Sequence, residues 1–291
     1  MPFTTDHRMP IIRKNQAAEG LGAGLTAVFK LPSQSTYMEL VLECKIATVA
    51  ATRAQLETML GNIRLTVSGK EKITLTAKQI IGMTEFYRTG TIGDTGYLWI
   101  PFNRTWMQEI ANQVAANYGT LGESSIQLEV DQDATSTIDT MNLWTRVYPV
   151  AEPIGAHISY VKLTPTFGST GTFIYTDIPR DPRTFLYAIH MQTDPAKLTN
   201  VRLIADDVKI IDTSFELLNQ IYKYSAEPRT PQTAKGFAHL DLCNRNMDAD
   251  AMPMTMRDLR LELDFITTAP GAFPVIFEFG GRNQEPVGIT R

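Results

Sequence analysis

The sequence predicts an all-β chain with a few short helices, built as two tandem eight-stranded jelly rolls. Three observations carry this prediction: an internal repeat, short segments alternating apolar with polar residues between turn signals, and too few helical patterns for a parallel α/β sheet.

The repeat consists of four phrases that return in the same order. "GLTAVFKLP" at 24–32 is matched by "GTFIYTDIP" at 171–179, an offset of 147 residues. "NIRL" at 62–65 returns as "NVRL" at 200–203, an offset of 138, and "GYLWIPF" at 96–102 as "GFAHLDL" at 236–242, an offset of 140. "QLEVD" at 127–131 returns as "RLELD" at 260–264, an offset of 133. The fall from 147 to 138 assigns about nine extra residues to the first copy, within "IATVAATRAQLETMLG". Loops absorb such insertions while packed strands do not.

Along the first copy, "TAVFKL", "YMELVLECKI", "IRLTV", "YLWIPF", "IQLEV" and "LWTRVY" read as strands. Alternation is clearest in "IQLEV" and in "LRLELDF" of the second copy, where Ile126, Leu128 and Val130, or Leu259, Leu261 and Leu263, share one face. In "GNIRLTVSG" the Asn shapes the turn into the strand and Arg64 alternates outward from Ile63 and Leu65. A helix-start signal is also duplicated. "TAKQ" at 76–79 and "TSFE" at 213–216 both fit the S/T-x-x-E/Q capping box. The first precedes Ile80, Ile81, Met83 and Tyr87 at helical spacing, the second Leu217, Leu218 and Ile221. A third box, "TWMQ" at 105–108, predicts a helix to about Ala116 in the first copy only. The corresponding "NMDADAMPM" holds Pro253 and is expected to be irregular.

Seven or eight strands in such a copy fit one two-sheet sandwich. Residues 1–23 read as an N-terminal arm, 24–152 as the first jelly roll, 153–281 as the second and 282–291 as a C-terminal tail.

Composition narrows the function classes. With 27 Lys and Arg against 31 Asp and Glu, the net charge is -4, and no basic block suggests a phosphate-binding patch, so nucleic-acid binding is not expected. No apolar run approaches the roughly 18 residues that span a bilayer, and the N-terminus lacks the apolar core of a secretion signal, so cytosolic folding is the simplest expectation. Cys44 and Cys243, the only cysteines, form no zinc-like spacing and are expected to be small buried side chains.

No catalytic or cofactor-binding residue stands out. "GLGAG" at 20–24 is followed by a strand, not a helix, and reads as a hinge and not a phosphate cradle. His7, His157, His190 and His239 are widely spaced, and no GxSxG elbow is present. Trp99 and Trp144 lie in strands and are expected in core or inter-sheet packing, while Trp106 opens the third helix. Asp131 and Asp133, Asp206 and Asp207, and the "DAD" at 248–250 fall at strand ends, where carboxylates can supply oxygen ligands to calcium; solvated turn carboxylates are the simpler role. No cofactor is required, and calcium is the one candidate ion.

With the halves aligned, the chain resembles the double jelly-roll major capsid proteins of the tectivirus and adenovirus lineage, and most of all the corticovirus capsid protein. The resemblance is carried by "KLPSQSTYMEL", the capping-box helix, "SSIQLEVDQDAT", "TDIPRDPRTFLYAIHM", "YKYSAEP", "MRDLRLELD" and "PVIFEFGG", and covers about residues 20 to 281. It implies a structural protein of the virion, made and assembled in the host cytoplasm, with two upright jelly rolls side by side. Three chains would form a homotrimeric, pseudo-hexagonal capsomer of an icosahedral, membrane-containing tailless bacteriophage. Neighbouring capsomers, a penton or vertex protein and minor membrane proteins are the implied partners, and the N-terminal arm would order against a neighbour. The resemblance also raises the expectation of calcium without assigning ligands. The alternative class is a two-jelly-roll carbohydrate-binding protein or glycan hydrolase or amidase, for which secretion would be expected.

Overall fold

The structure, a computed structural model, describes residues 9–88, 93–225, 228–243, 247, 250–266 and 269–282. Two compact units divide the chain. The first comprises Met1–Ile81, Ile92–Thr105 and Val114–His157, the second Gly82–Thr91, Trp106–Gln113 and Ile158–Arg291.

The first repeat runs β1 (Ile11–Lys14), β2 (Thr26–Leu31), β3 (Thr36–Ile46), β4 (Val49–Ala50), α1 (Arg53–Met59), β5 (Leu60–Val67), β6 (Lys70–Thr76), α2 (Ala77–Tyr87), β7 (Tyr97–Pro101), α3 (Ile110–Val114), β8 (Ile126–Gln132) and β9 (Thr140–Tyr148). One sheet has the order β1-β9-β3-β4, with β7 also on β3, and the other the order β2-β8-β5-β6. Setting aside the two-residue β4, the eight strands counted in chain order place the first, eighth, third and sixth in one sheet. The second, seventh, fourth and fifth form the other, which is the jelly-roll wiring of two Greek keys. Alternation buries one face of each sheet: Leu40, Leu42, Leu98, Ile100 and Leu143 from one, Phe29, Ile63, Leu65, Leu128 and Val130 from the other.

The second repeat runs β10 (Ala156–Leu163), β11 (Thr166–Phe167), β12 (Gly171–Tyr175), β13 (Thr184–Met191), β14 (Leu198–Ala205), β15 (Val208–Ser214), α4 (Phe215–Lys223), β16 (Ala238–Asp241), β17 (Met252–Pro253), β18 (Leu259–Phe265), β19 (Gly271–Ala272) and β20 (Val275–Arg282). Its sheets, β10-β20-β13-β16 and β12-β18-β14-β15, repeat the same wiring. The strand registers match as well. Pairs Arg64 with Glu129 and Arg202 with Glu262 are equivalent, and bulges recur between Leu65 and Thr66 and between Leu203 and Ile204. Each copy also breaks its third strand at the same place, between Tyr37 and Glu39 and between Leu186 and Ala188.

The "SG" of one copy and the "DD" of the other turn out to be the same feature. Val67 pairs with Lys70 and Ala205 with Val208, so both are two-residue hairpin loops. Ser68 and Gly69 have φ of 49° and 76°, Asp206 and Asp207 of 45° and 65°, the positive pair that a type I′ turn requires. Asp tolerates this conformation better than most residues.

Several details differ from the sequence reading. Ile11–Lys14, within the suggested arm, is a strand paired with β9. Its four residues are nearly all exposed and carry no alternation, which leaves no signal of pairing. Residues 1–8 of that arm and 283–291 of the tail lie outside the described residues. The offset of the first matched pair is 146, not 147, because Thr26 faces Asp131 where Thr172 faces Asp264. A one-residue shift on a strand exchanges faces, and matching the flanking Gly and Pro had hidden it. The second helix cap is Ser214, whose side chain accepts from Leu217 N, and not Thr213; of the two duplicated signals, Thr76 and Gln79 form the reciprocal box and the second does not. The "TWMQ" helix shrinks to Ile110–Val114. A complete capping box at Thr52 and Gln55, carried by "TRAQ" in the sequence, starts α1 inside the insertion. "GLGAG" is a folded turn, with Gly20, Gly22 and Gly24 all at positive φ and Gly24 N donating to Asp133 O. Of "NMDADAMPM", Met252–Pro253 is a short strand on β13; Asn246, Asp248 and Ala249 lie outside the described residues.

Candidate functional site

The repeated phrases prescribe one side-chain network twice. On the solvent side of the four-stranded sheet in the first unit, Arg64 Nε donates to Glu129 Oε2 at 3.1 Å. Its Nη1 and Nη2 reach Asp131 Oδ2 and Oδ1 at 2.6 and 2.8 Å, and Thr26 Oγ1 donates to Asp131 Oδ1 at 2.7 Å. In the second unit Arg202 Nε donates to Glu262 Oε2 at 2.8 Å, Nη1 and Nη2 to Asp264 at 3.0 and 2.9 Å, and Thr172 Oγ1 to Asp264 at 2.6 Å. The Asp131 carboxyl is held below its usual range by Arg64. For Asp264 burial raises the pKa, but Thr172, Arg202 and Asn200 outweigh it and the net direction is down. Bidentate Arg–carboxylate pairs fix geometry as well as charge, so each network clamps three neighbouring strands. Arg64→Ala and Arg202→Ala are each expected to cost about 1 kcal/mol in urea denaturation, given their partial exposure, and to add in the double variant. A loss below the detection limit in both would deny the clamps a stabilising role.

The outer faces of the five-stranded sheets differ sharply between the units. In the second, His190, His239, Asp241 and Glu278 occupy positions that in the first hold Val41, Trp99, Pro101 and Arg146, as the common registers show. All four are buried. His190 Nδ1 lies 2.8 Å from His239 Nδ1, and His190 Nε2 lies 3.2 Å from Glu278 Oε2, which also accepts from Tyr87 Oη at 3.1 Å. One proton assignment satisfies this chain: His190 Nε2–H donates to the carboxylate and His239 Nδ1–H donates to His190 Nδ1. His239 Nε2 then carries only a lone pair, and it has no hydrogen-bond partner among the described residues. Phe86 covers the pair, stacked on His239 at 4.2 Å, and Trp106 stacks on Tyr87 at 4.4 Å. Beside them Arg229 Nε donates to Asp241 Oδ2 at 2.9 Å, with both side chains 1% exposed, and the guanidinium lies 5.2 Å from the Tyr87 ring centroid.

In the first unit the same outer face is an open cleft of about 320 Å³ lined by Ile12, Val41, Tyr97, Trp99, Trp144 and Arg146, with Glu39 and Thr145. Trp99 and Trp144 are therefore half-buried on this outer face and not in the core, contrary to the expectation for strand tryptophans. Trp144 Nε1 donates to Glu43 Oε2 at 3.0 Å, and Lys45 with Trp144 brings the Glu43 carboxyl down to about 2.

The sequence-flagged aspartates are spread over several structural roles. Asp131 faces Arg64 with both oxygens; Asp133 accepts from Thr135 N and Oγ1 in its own turn. Asp206 accepts from the backbone N–H of Arg257 and Asp258, and Asp207 pairs with Arg260. Among the described residues, no group of three or more His, Cys, Asp or Glu is arranged to hold a metal. Cys44 and Cys243 are both buried and free, and burial pushes the Cys44 thiol up to about 12. The His190–His239 pair escaped sequence reading because the two lie 49 residues apart and meet only through strand register.

Family models for the N-terminal and C-terminal domains of viral coat protein P2 match residues 12–148 and 158–282. The crystal structure of the major capsid protein P2 from bacteriophage PM2 is similar at a TM-score of 0.84 and 18% identity, over 95% of this chain and 98% of that one. The STIV major capsid protein follows at 0.67 and 9%, over 94% and 97%. PBCV-1 VP54, fitted into a reconstruction of the virophage Sputnik, gives 0.63 and 9%, over 96% and 97%. A search of curated protein sequences finds no match. Two sandwiches of jelly-roll wiring in one chain define a double jelly-roll protein. The chain belongs to the viral coat protein P2 family, since the two matched domains together span most of its length. This supports the coat-protein reading over the carbohydrate-binding or glycan-cleaving alternative.

Proposed function

We propose that the chain is the major capsid protein of a tailless, membrane-containing icosahedral bacteriophage, acting without enzymatic chemistry as a homotrimer. The observation that carries this is the duplication: both coat-protein domains match in tandem, and each repeats the same eight-strand wiring. Three chains supply six similar sandwiches, enough for one pseudo-hexagonal capsomer, and a closed ring is the symmetric solution for such head-to-tail contacts. Neighbouring capsomers, a vertex protein and minor membrane proteins complete the shell, assembled in the host cytoplasm. Many modest contacts become a stable lattice through multivalency.

Sedimentation equilibrium of the purified full chain tests this. The expected mass is that of three 32.5 kDa chains. A monomer at every concentration, above all one that binds a specific sugar on a glycan array, would overturn the reading.

A further inference from the structure

The two repeats carry equivalent helices, but only one is fully covered. In α2 the stripe Gln79, Met83 and Phe86 is buried. The offset of 138 fixed by the caps Thr76 and Ser214 equates it with Leu217 and Ile221 of α4 and with Tyr224, which caps its C-terminal end. These three are 54%, 44% and 86% exposed, spaced i, i+4 and i+7, and so form one apolar stripe beside the core-facing Phe215, Leu218 and Tyr222. The second unit shows what such a stripe does. Its Phe86, from the C-terminal half of α2, covers the outer face of the five-stranded sheet by stacking on His239. In the first unit the residue equivalent to His239 is Trp99, in the open cleft, and the residue equivalent to His190 is Val41.

We propose that α4 of one chain docks into the first-unit cleft of a second copy of this chain, with Tyr224 lying over Trp99 and flanked by Trp144 as Phe86 lies over His239. The inference rests on the homotrimer reading and gives it a specific contact. The cleft's own charges are already matched, Glu39 by Arg146 and Glu43 by Lys45, so the surface left for an occupant is the apolar and aromatic one that the α4 stripe complements. The contact joins unlike surfaces on the two copies, the kind that closes into a ring when the rotation allows. An amphipathic helix laid in an aromatic groove is a recurrent binding mode, and Tyr and Trp are its usual anchors.

Native mass spectrometry of the full chain and two variants tests the docking. Tyr224→Ala is expected to weaken association by roughly 30-fold and Ile221→Glu by at least as much, with an unchanged far-UV circular dichroism spectrum because both side chains are exposed. Independently, Tyr224→Cys combined with Tyr97→Cys is expected to yield covalent dimers and trimers on oxidation, and neither single variant to do so. A wild-type trimer whose variants associate unchanged and whose double-cysteine form does not cross-link would overturn this docking alone. A wild-type chain that stays monomeric would overturn the homotrimer reading and this contact with it.

Discussion

Asp241→Ala is expected to destabilise the second unit by about 3–5 kcal/mol, because it leaves the Arg229 guanidinium buried with its ion pair removed. Both side chains are 1% exposed, and the carboxylate makes a second bond, accepting from Cys243 N at 2.9 Å. The Tyr87 ring next to Arg229 offers only a quadrupole and does not replace a full charge. Replacing both partners with apolar residues, Arg229→Met with Asp241→Leu, is expected to cost less than either loss alone, since no charge is then stranded. Urea denaturation of the two variants tests this. A single-variant loss under about 1 kcal/mol would mean that water reaches the pair.

Acid sensitivity is the second large effect. Burial, together with the neighbouring His190, holds the His239 pKa well below the ordinary 6.5. The unfolded ring therefore takes up a proton at a pH where the folded one does not. Stability from this group is complete above about pH 6.5 and falls as the pH drops below it, by about 1.4 kcal/mol per unit until the folded pKa is reached. Asp241 acts in the opposite direction. Burial raises its pKa above 3.8, so the folded state binds that proton first, and its cost to stability eases as the pH falls through the raised folded value, fully by about pH 3.8. Glu278 faces His190 and the Arg229–Asp241 pair lies alongside, so a charge on His239 would have Phe86 and Phe237 rings against it and no hydrogen-bonded counter-ion at Nε2 among the described residues. Melting curves from about pH 7.5 to about pH 5 are expected to show a steep loss in the wild type and a flatter one in His239→Phe. Equal slopes would remove His239 from the account.

Much of the architecture was legible because strands of period two declare their faces. Ile63, Leu65, Ile126, Leu128 and Val130, with Leu259, Leu261 and Leu263, are all buried as their alternation requires, and Arg64 points outward. The echo of "NIRL" and "NVRL" proved to be half of a network whose other half is the echo of "QLEVD" and "RLELD". What was hidden depended on register and on neighbours. β1 has no pattern of its own, Ser214 competed with Thr213 as a cap one residue away, and His190 meets His239 only because β13 pairs with β16. The tryptophans were misplaced for the same reason: being in a strand says nothing about which face is covered, and the outer face over Trp99 is covered in one repeat's equivalent and open in the other.

The most direct test of the coat-protein account is a cryo-EM reconstruction of assembled shells of this chain. The account predicts six-lobed capsomers in which three chains each contribute both jelly rolls, tiling a closed icosahedral lattice. Capsomers built from six separate chains, or a chain that forms no lattice under any condition in which its relatives assemble, would contradict it.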